Sequence, residues 1–238
     1  MTTRTALVTG ANKGIGFETV RQLADRGWIV WLGSRDAERG RQAPVRLTAA
    51  MPGADVRLVA LDVTSDDSVA AACDTVTEAS GRLDVLVNNA GIGGRFAGPE
   101  DTAVADFLPV FGVNLLGPVR VTSAFLPLLR KADVPRLVMV SSGVGSFGVT
   151  TDPQRIESTL HGLVYPSSKA ALNMVTSQYA RALTDVRVHA VDPGYTATDL
   201  NGHSGPQTVA EGAEAVVRAC TAEELPGTFF DRHGAVPW

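Results

Sequence analysis

Thr5-Ala6-Leu7-Val8-Thr9-Gly10-Ala11-Asn12-Lys13-Gly14-Ile15-Gly16 is the stretch that decides the architecture. Its first five residues read as an opening strand, and the periodicity after Gly14 reads as a helix. Three glycines between them allow a tight turn, close backbone approach to a pyrophosphate and tight helix–sheet packing. The helix offers free N–H groups and the positive end of its dipole to an anion. The spacing G-x-x-x-G-x-G differs from the commoner G-x-G-x-x-G fingerprint. Glycines alone are equally compatible with a plain loop. Their place between a first strand and a first helix points to dinucleotide binding, with Gly10, Asn12, Lys13, Gly14, Ile15 and Gly16 forming the turn.

Outward from this turn, short apolar runs alternate with longer helical patterns, as in a parallel sheet covered on both faces. Strands are predicted at residues 6–9, 29–33, 57–60, 85–88, 136–141, 187–191 and 228–230, and helices at 15–26, 66–80, 103–129, 167–183 and 209–219. The expected fold class is α/β: a single Rossmann-like, doubly wound domain over 1–238, with a seven-stranded parallel sheet and helices on both faces. Residues 143–164 and 199–207 read as loop excursions, where such sheets bind ligands.

The 238 residues are 45% hydrophobic and 19% charged, with a formal net charge of -4. No basic run points to nucleic acid or an anionic membrane. No apolar stretch is expected to reach the length of a membrane span, and the N-terminus lacks signal-peptide architecture. Cys73 and Cys220 are isolated in helix-like stretches, which argues against a disulfide framework or a metal site. A cytoplasmic enzyme or binding protein is the expectation.

The second strand ends in Trp31-Leu32-Gly33-Ser34-Arg35-Asp36. An acidic residue there would suit a free ribose 2′-hydroxyl, and an arginine a 2′-phosphate. Ser34 and Arg35, with Lys13 in reach, favour NADP(H) over NAD(H), Arg35 making the forked contact. The alternative is a solvated Arg35 paired with Asp36. In Leu61-Asp62-Val63, Asp62 is placed to accept from an adenine amino group, with Val63 beside it. Asp62 is otherwise a turn residue next to the capping groups of Thr64-Ser65-Asp66.

Tyr165-Pro166-Ser167-Ser168-Lys169 sets a phenol and an ammonium one turn apart, on a helix that Pro166 is expected to open. A phenol of pKa about 10 is a poor proton carrier at neutral pH, and a neighbouring cation brings it closer to the working range. Alone, the pair also fits a ring packed under a solvated lysine. With Thr9-Gly10-x-x-x-Gly14-Ile15-Gly16, Asn88-Asn89-Ala90-Gly91, Ser142 and Pro193-Gly194, however, it falls in the order found in short-chain dehydrogenases/reductases, which the chain resembles from residue 9 to 198. Asn12-Lys13-Gly14-Ile15-Gly16 and Ser34-Arg35-Asp36 most resemble the NADPH-dependent carbonyl-reductase branch.

That resemblance implies Tyr165 as the proton donor to a carbonyl oxygen, Lys169 lowering its pKa and holding the nicotinamide ribose, and Ser142 positioning the substrate oxygen. Asn114, in Phe111-Gly112-Val113-Asn114-Leu115, matches the asparagine that holds a relay water, and as a residue sits at a break in a long helix. Asn89 would fix the cofactor-side turn, with Ala90 and Gly91 against the adenine ribose. Pro193 and Gly194 would face the nicotinamide, and Thr196 and Thr198 the carboxamide or pyrophosphate. Tyr195 would line the pocket. His161, His189, His203 and His233 lack metal-ligand spacing and read as surface or structural, with His161 near substrate as an alternative; no metal is expected.

The implied activity is NADPH-dependent reduction of a ketone, aldehyde or quinone. Oxidation of an alcohol is the second reading, and a non-catalytic nucleotide sensor the third, which the intact Ser142, Tyr165 and Lys169 disfavour. The Ser142–Tyr165 interval is intermediate between compact and long-insertion members, so monomer, homodimer and homotetramer all stay open.

Overall fold

A computed structural model describes residues 3–238, apart from the side chain of Ala37. Seven parallel strands form one sheet in the order β3-β2-β1-β4-β5-β6-β7. They are β1 (Thr5–Val8), β2 (Ile29–Ser34), β3 (Val56–Ala60), β4 (Val85–Asn88), β5 (Arg136–Val140), β6 (Arg187–Val191) and β7 (Phe229–Phe230). The order reverses between β1 and β4, which opens a crevice at the carboxyl ends of the strands.

Neighbouring strand residues point to opposite faces, so each central strand feeds two cores. Ala6, Val8, Val30, Leu32, Val85 and Val87 pack on one face against α1 (Gly14–Ala24), α2 (Ala37–Ala50) and α8 (Val209–Thr221). Leu7, Trp31, Leu86, Leu137 and Met139 pack on the other, under α3 (Asp66–Ser80), α5 (Gly117–Leu129) and α7 (Val164–Ala182). Cys220 belongs to the first core and Cys73 to the second.

Three expectations need correction. Helix α2 went unforeseen because Gly40 and Pro44 interrupt it and its apolar stripe is narrow; Asp36 caps it by accepting from the Arg39 amide. The catalytic-motif helix α7 opens at Val164, so Pro166 sits in its third position, where the N–H it lacks has no intrahelical partner in any case. The run Val104–Leu129 is long and apolar enough to cross a membrane by length and composition. It is two helices, α4 (Val104–Phe111) and α5, joined by a π-helical turn at Gly112–Leu116. Val121, Phe125, Leu128 and Leu129 are buried against α3 and the sheet.

The stretch 143–164 is a winding segment that includes the short helix α6 (Phe147–Thr150).

Candidate active site

A cleft of about 780 Å³ runs along the carboxyl ends of β1, β2 and β4. A second cavity of about 510 Å³ joins it, and Tyr165 and Pro193 line both.

The glycine turn forms the floor of the first. Gly10 has φ +61°, and a Cβ there would lie 2.8 Å from Ala90 Cα. A Cβ on Gly16 would lie 2.4 Å from Asn89 Nδ2. Bare backbone is therefore required where a cofactor phosphate would approach. Asn89 stitches the turn to β4, donating to the carbonyls of Thr9 at 2.8 Å and Gly10 at 3.1 Å. The Thr9 hydroxyl accepts from the Asn89 and Ala90 amides. Lys13, at the N-cap of α1, caps no amide with its side chain, and the first turn holds no acidic residue. These features fit a bound dinucleotide pyrophosphate.

The far end of the cleft is lined by Arg35, Arg39, Asp62 and Val63. Asp36 pairs with Arg39 at 3.5 Å rather than with Arg35. Arg39 was not singled out in the sequence; its signal is a second arginine four residues on, at the start of a helix. Asp62 accepts from the amide and hydroxyl of Thr64, so it is a turn residue and a lining residue at once. Asn12, Gly14, Ile15, Gly91, Lys169 and Thr198 also line it.

Ser34 and Thr196 are not brought into this cleft. Ser34 is buried behind it, donating to the Asp36 carbonyl at 2.9 Å. Thr196 is buried, donates to the Pro193 carbonyl at 3.0 Å and borders the second cavity, as does Gly194. Two unforeseen residues do line the cleft. Asp199 forms an ion pair with Lys13 across it, and His203 Nε2 lies 2.9 Å from the same carboxylate. His203 is an exposed residue that also lines the cleft.

Tyr165, Ser142 and Lys169 meet where the two cavities join. The Ser142 hydroxyl borders the phenol and favours its ionised form. Lys169 is buried, donates to the Val140 carbonyl at 2.8 Å and lies 5.7 Å from the phenol ring centroid. Burial pulls its pKa down to about 8, against the opposing pull of Asp192. The phenol moves the other way from the sequence expectation. Burial and then the Asp192 carboxylate hold it above its ordinary value, and the Ser142 hydroxyl only partly offsets them. Asp192 is itself pushed up by burial, although the Gly194 and Gly143 amides donate to it.

Asn114, in the π-helical turn, is buried and reaches neither cavity directly. Its Oδ1 accepts from the Ile92 amide at 2.9 Å, and its Nδ2 donates to the Ile92 carbonyl and the Ser168 hydroxyl, both at 3.0 Å. Ser168 in turn donates to the Tyr165 carbonyl at 2.7 Å. The side chain therefore ties the helix break to the first turn of α7.

The second cavity is lined by Phe96, Ile156, Leu160, Leu163, Tyr195 and Leu200, with His161 at its wall. Arg95 and Glu157 are its charged members besides Asp192, and Glu157 is held by Arg155 at 3.3 Å.

A family model described as "short chain dehydrogenase" matches residues 4–208. The chain is 36% identical to a (+)-neomenthol dehydrogenase of Arabidopsis thaliana, covering 97% of each. Among solved structures it resembles salutaridine reductase from Papaver somniferum, with a TM-score of 0.83, 29% identity and coverage of 96% of this chain and 99% of that one. It also resembles an NADPH-bound carbonyl reductase from chicken fatty liver, with a TM-score of 0.82, 28% identity and full coverage of both. With the switch-point crevice and the Tyr165–Lys169 pair on one helix, these matches place the chain in the short-chain dehydrogenase/reductase family, oxidoreductases of CH–OH and C=O groups.

Proposed function

We propose that the protein reduces an apolar, cyclic ketone to the alcohol with NADPH. The observation that carries this is the position of Tyr165, beside Ser142, at the junction between a dinucleotide-shaped cleft and an apolar cavity. Bound NADPH supplies the hydride. Tyr165 donates its proton to the carbonyl oxygen, and Ser142 donates a hydrogen bond to the same oxygen, where negative charge develops. Lys169, with a pKa near 8, carries a proton at Nζ at neutral pH and can restore the phenol. Asn114 holds the start of α7 in place through Ser168.

Lys13, Arg35 and Arg39 support a 2′-phosphate at the adenosine end. The apolar wall of the second cavity and the relatives' names, (+)-neomenthol dehydrogenase and salutaridine reductase, support a hydrocarbon-rich cyclic substrate. The test follows NADPH and NADH consumption with menthone-like ketones, aldehydes and quinones. Turnover should be fastest with apolar cyclic ketones and NADPH. Tyr165→Phe should lose at least ~100-fold in kcat with NADPH affinity kept, and Arg35→Ala should weaken NADPH more than NADH. Substantial turnover by Tyr165→Phe, or equal loss for both cofactors in Arg35→Ala, contradicts the assignment.

A further inference from the structure

Three residues on α7 share one stripe: Tyr165, Lys169 and Asn173 are spaced four apart, close to the helical period. Asn173 reaches neither cavity. It is 4% exposed, and a buried primary amide is costly unless its oxygen and its N–H groups find partners. Both ends have partners, and they bracket Ser142. Its Oδ1 accepts from the Ser141 hydroxyl, and its Nδ2 donates to the Gly145 carbonyl at 3.1 Å.

The backbone between those two anchors leaves β5 in extended form at Ser142, with φ -166° and ψ 150°. On the upstream side, the Ser141 amide donates to the Val191 carbonyl at 2.7 Å, so the sheet fixes its main chain while Asn173 fixes its side chain. On the downstream side, Gly145 lies directly on α7. A Cβ there would be 2.6 Å from the Lys169 carbonyl carbon and 2.8 Å from the Ala170 amide nitrogen. The loop can approach this closely only as glycine, and once there its carbonyl meets the Asn173 amide.

We infer that Asn173 is a positioning residue that splints Ser142 to the helix carrying Tyr165 and Lys169. The inference rests on the reductase reading above. A proton donor and an oxyanion donor must converge on one carbonyl oxygen, and a shift of about 1 Å in such a pair can cost about 100-fold in rate. Tyr165 sits on the helix and Ser142 at the end of a strand. Asn173 is the side chain that joins the two elements on both sides of Ser142. The Ser141 hydroxyl, which donates to Asn173, gains a purpose as one of the two handles.

A cycle of variants tests this: Asn173→Ala and Ser141→Ala, each alone and each combined with Ser142→Ala, with kcat, ketone KM, NADPH dissociation constant and unfolding midpoint measured for all. In the Ser142-intact protein, Asn173→Ala should lower kcat about 10- to 100-fold and Ser141→Ala several-fold, with NADPH affinity within about twofold of the parent. In the Ser142→Ala background neither should lower kcat further, because the group they position is already gone. An equal fractional loss of kcat in both backgrounds identifies ordinary structural damage and overturns the inference. If Asn173→Ala fails to fold, the Ser141→Ala arm carries the same comparison, since it removes a single hydroxyl. A parent that reduces no carbonyl defeats the reductase reading and this inference with it; an active parent whose kcat survives in both variants defeats the inference alone.

Discussion

At Lys169, stability and activity pull in opposite directions with pH. Its pKa falls from 10.5 to about 8 because the ammonium is buried, so the folded protein binds the proton less tightly than the unfolded chain does. Between pH 8 and 10.5 the unfolded state carries more protons, and stability rises with pH across that window by a few kcal/mol. Below about pH 8 both states are protonated and the full cost remains. Catalysis needs the cation, so kcat/KM for NADPH-dependent reduction should be level below pH 7.5 and fall above about 8. The phenol, held above its ordinary value by burial, stays protonated there and is not the group that titrates. Denaturant unfolding and initial rates over the same pH series check both halves. Lys169→Met should abolish the rise in stability, and a rise that persists in that variant belongs to another group.

The break between α4 and α5 shows how an irregularity in one element positions another. Asn114 answers both backbone groups of Ile92 and the Ser168 hydroxyl. Asn114→Ala leaves these partly buried partners unmet, and should cost about 2–3 kcal/mol in denaturant unfolding together with a fall in kcat, since Ser168 no longer anchors the Tyr165 turn. A variant as stable as the parent would show that water replaces the amide at no cost. At this scale the strands were legible, because those buried on both faces leave continuous apolar runs such as residues 85–87. Helix α2 was not, because arginines, Gly40 and Pro44 blur its period while only a thin stripe is buried. Side-chain direction was the other blind spot. The motifs place Ser34 and Thr196 beside the cleft, yet each hydroxyl turns to a nearby carbonyl. Asn173 and Asp199 lie outside any short motif, and they acquire roles only through partners far away in the sequence.

Over the whole molecule, the parallel sheet separates two hydrophobic cores, and the reactive groups collect at one end of it. Each core holds one thiol. Cys220, in α8, is fully buried and its pKa is pushed up to about 12 by burial. Cys73, in α3, is half-buried, lies 3.3 Å from the Ala124 carbonyl and is also pushed up by burial. Thiolate is the reactive form, so a thiol reagent at neutral pH should modify the native protein slowly and take up two equivalents on unfolding. Rapid labelling of both in the native state would contradict the burial described. The same arrangement makes the protein its own stopwatch. Under mild denaturant, mass spectrometry of the two peptides reports which side of the sheet comes apart first, with no probe added.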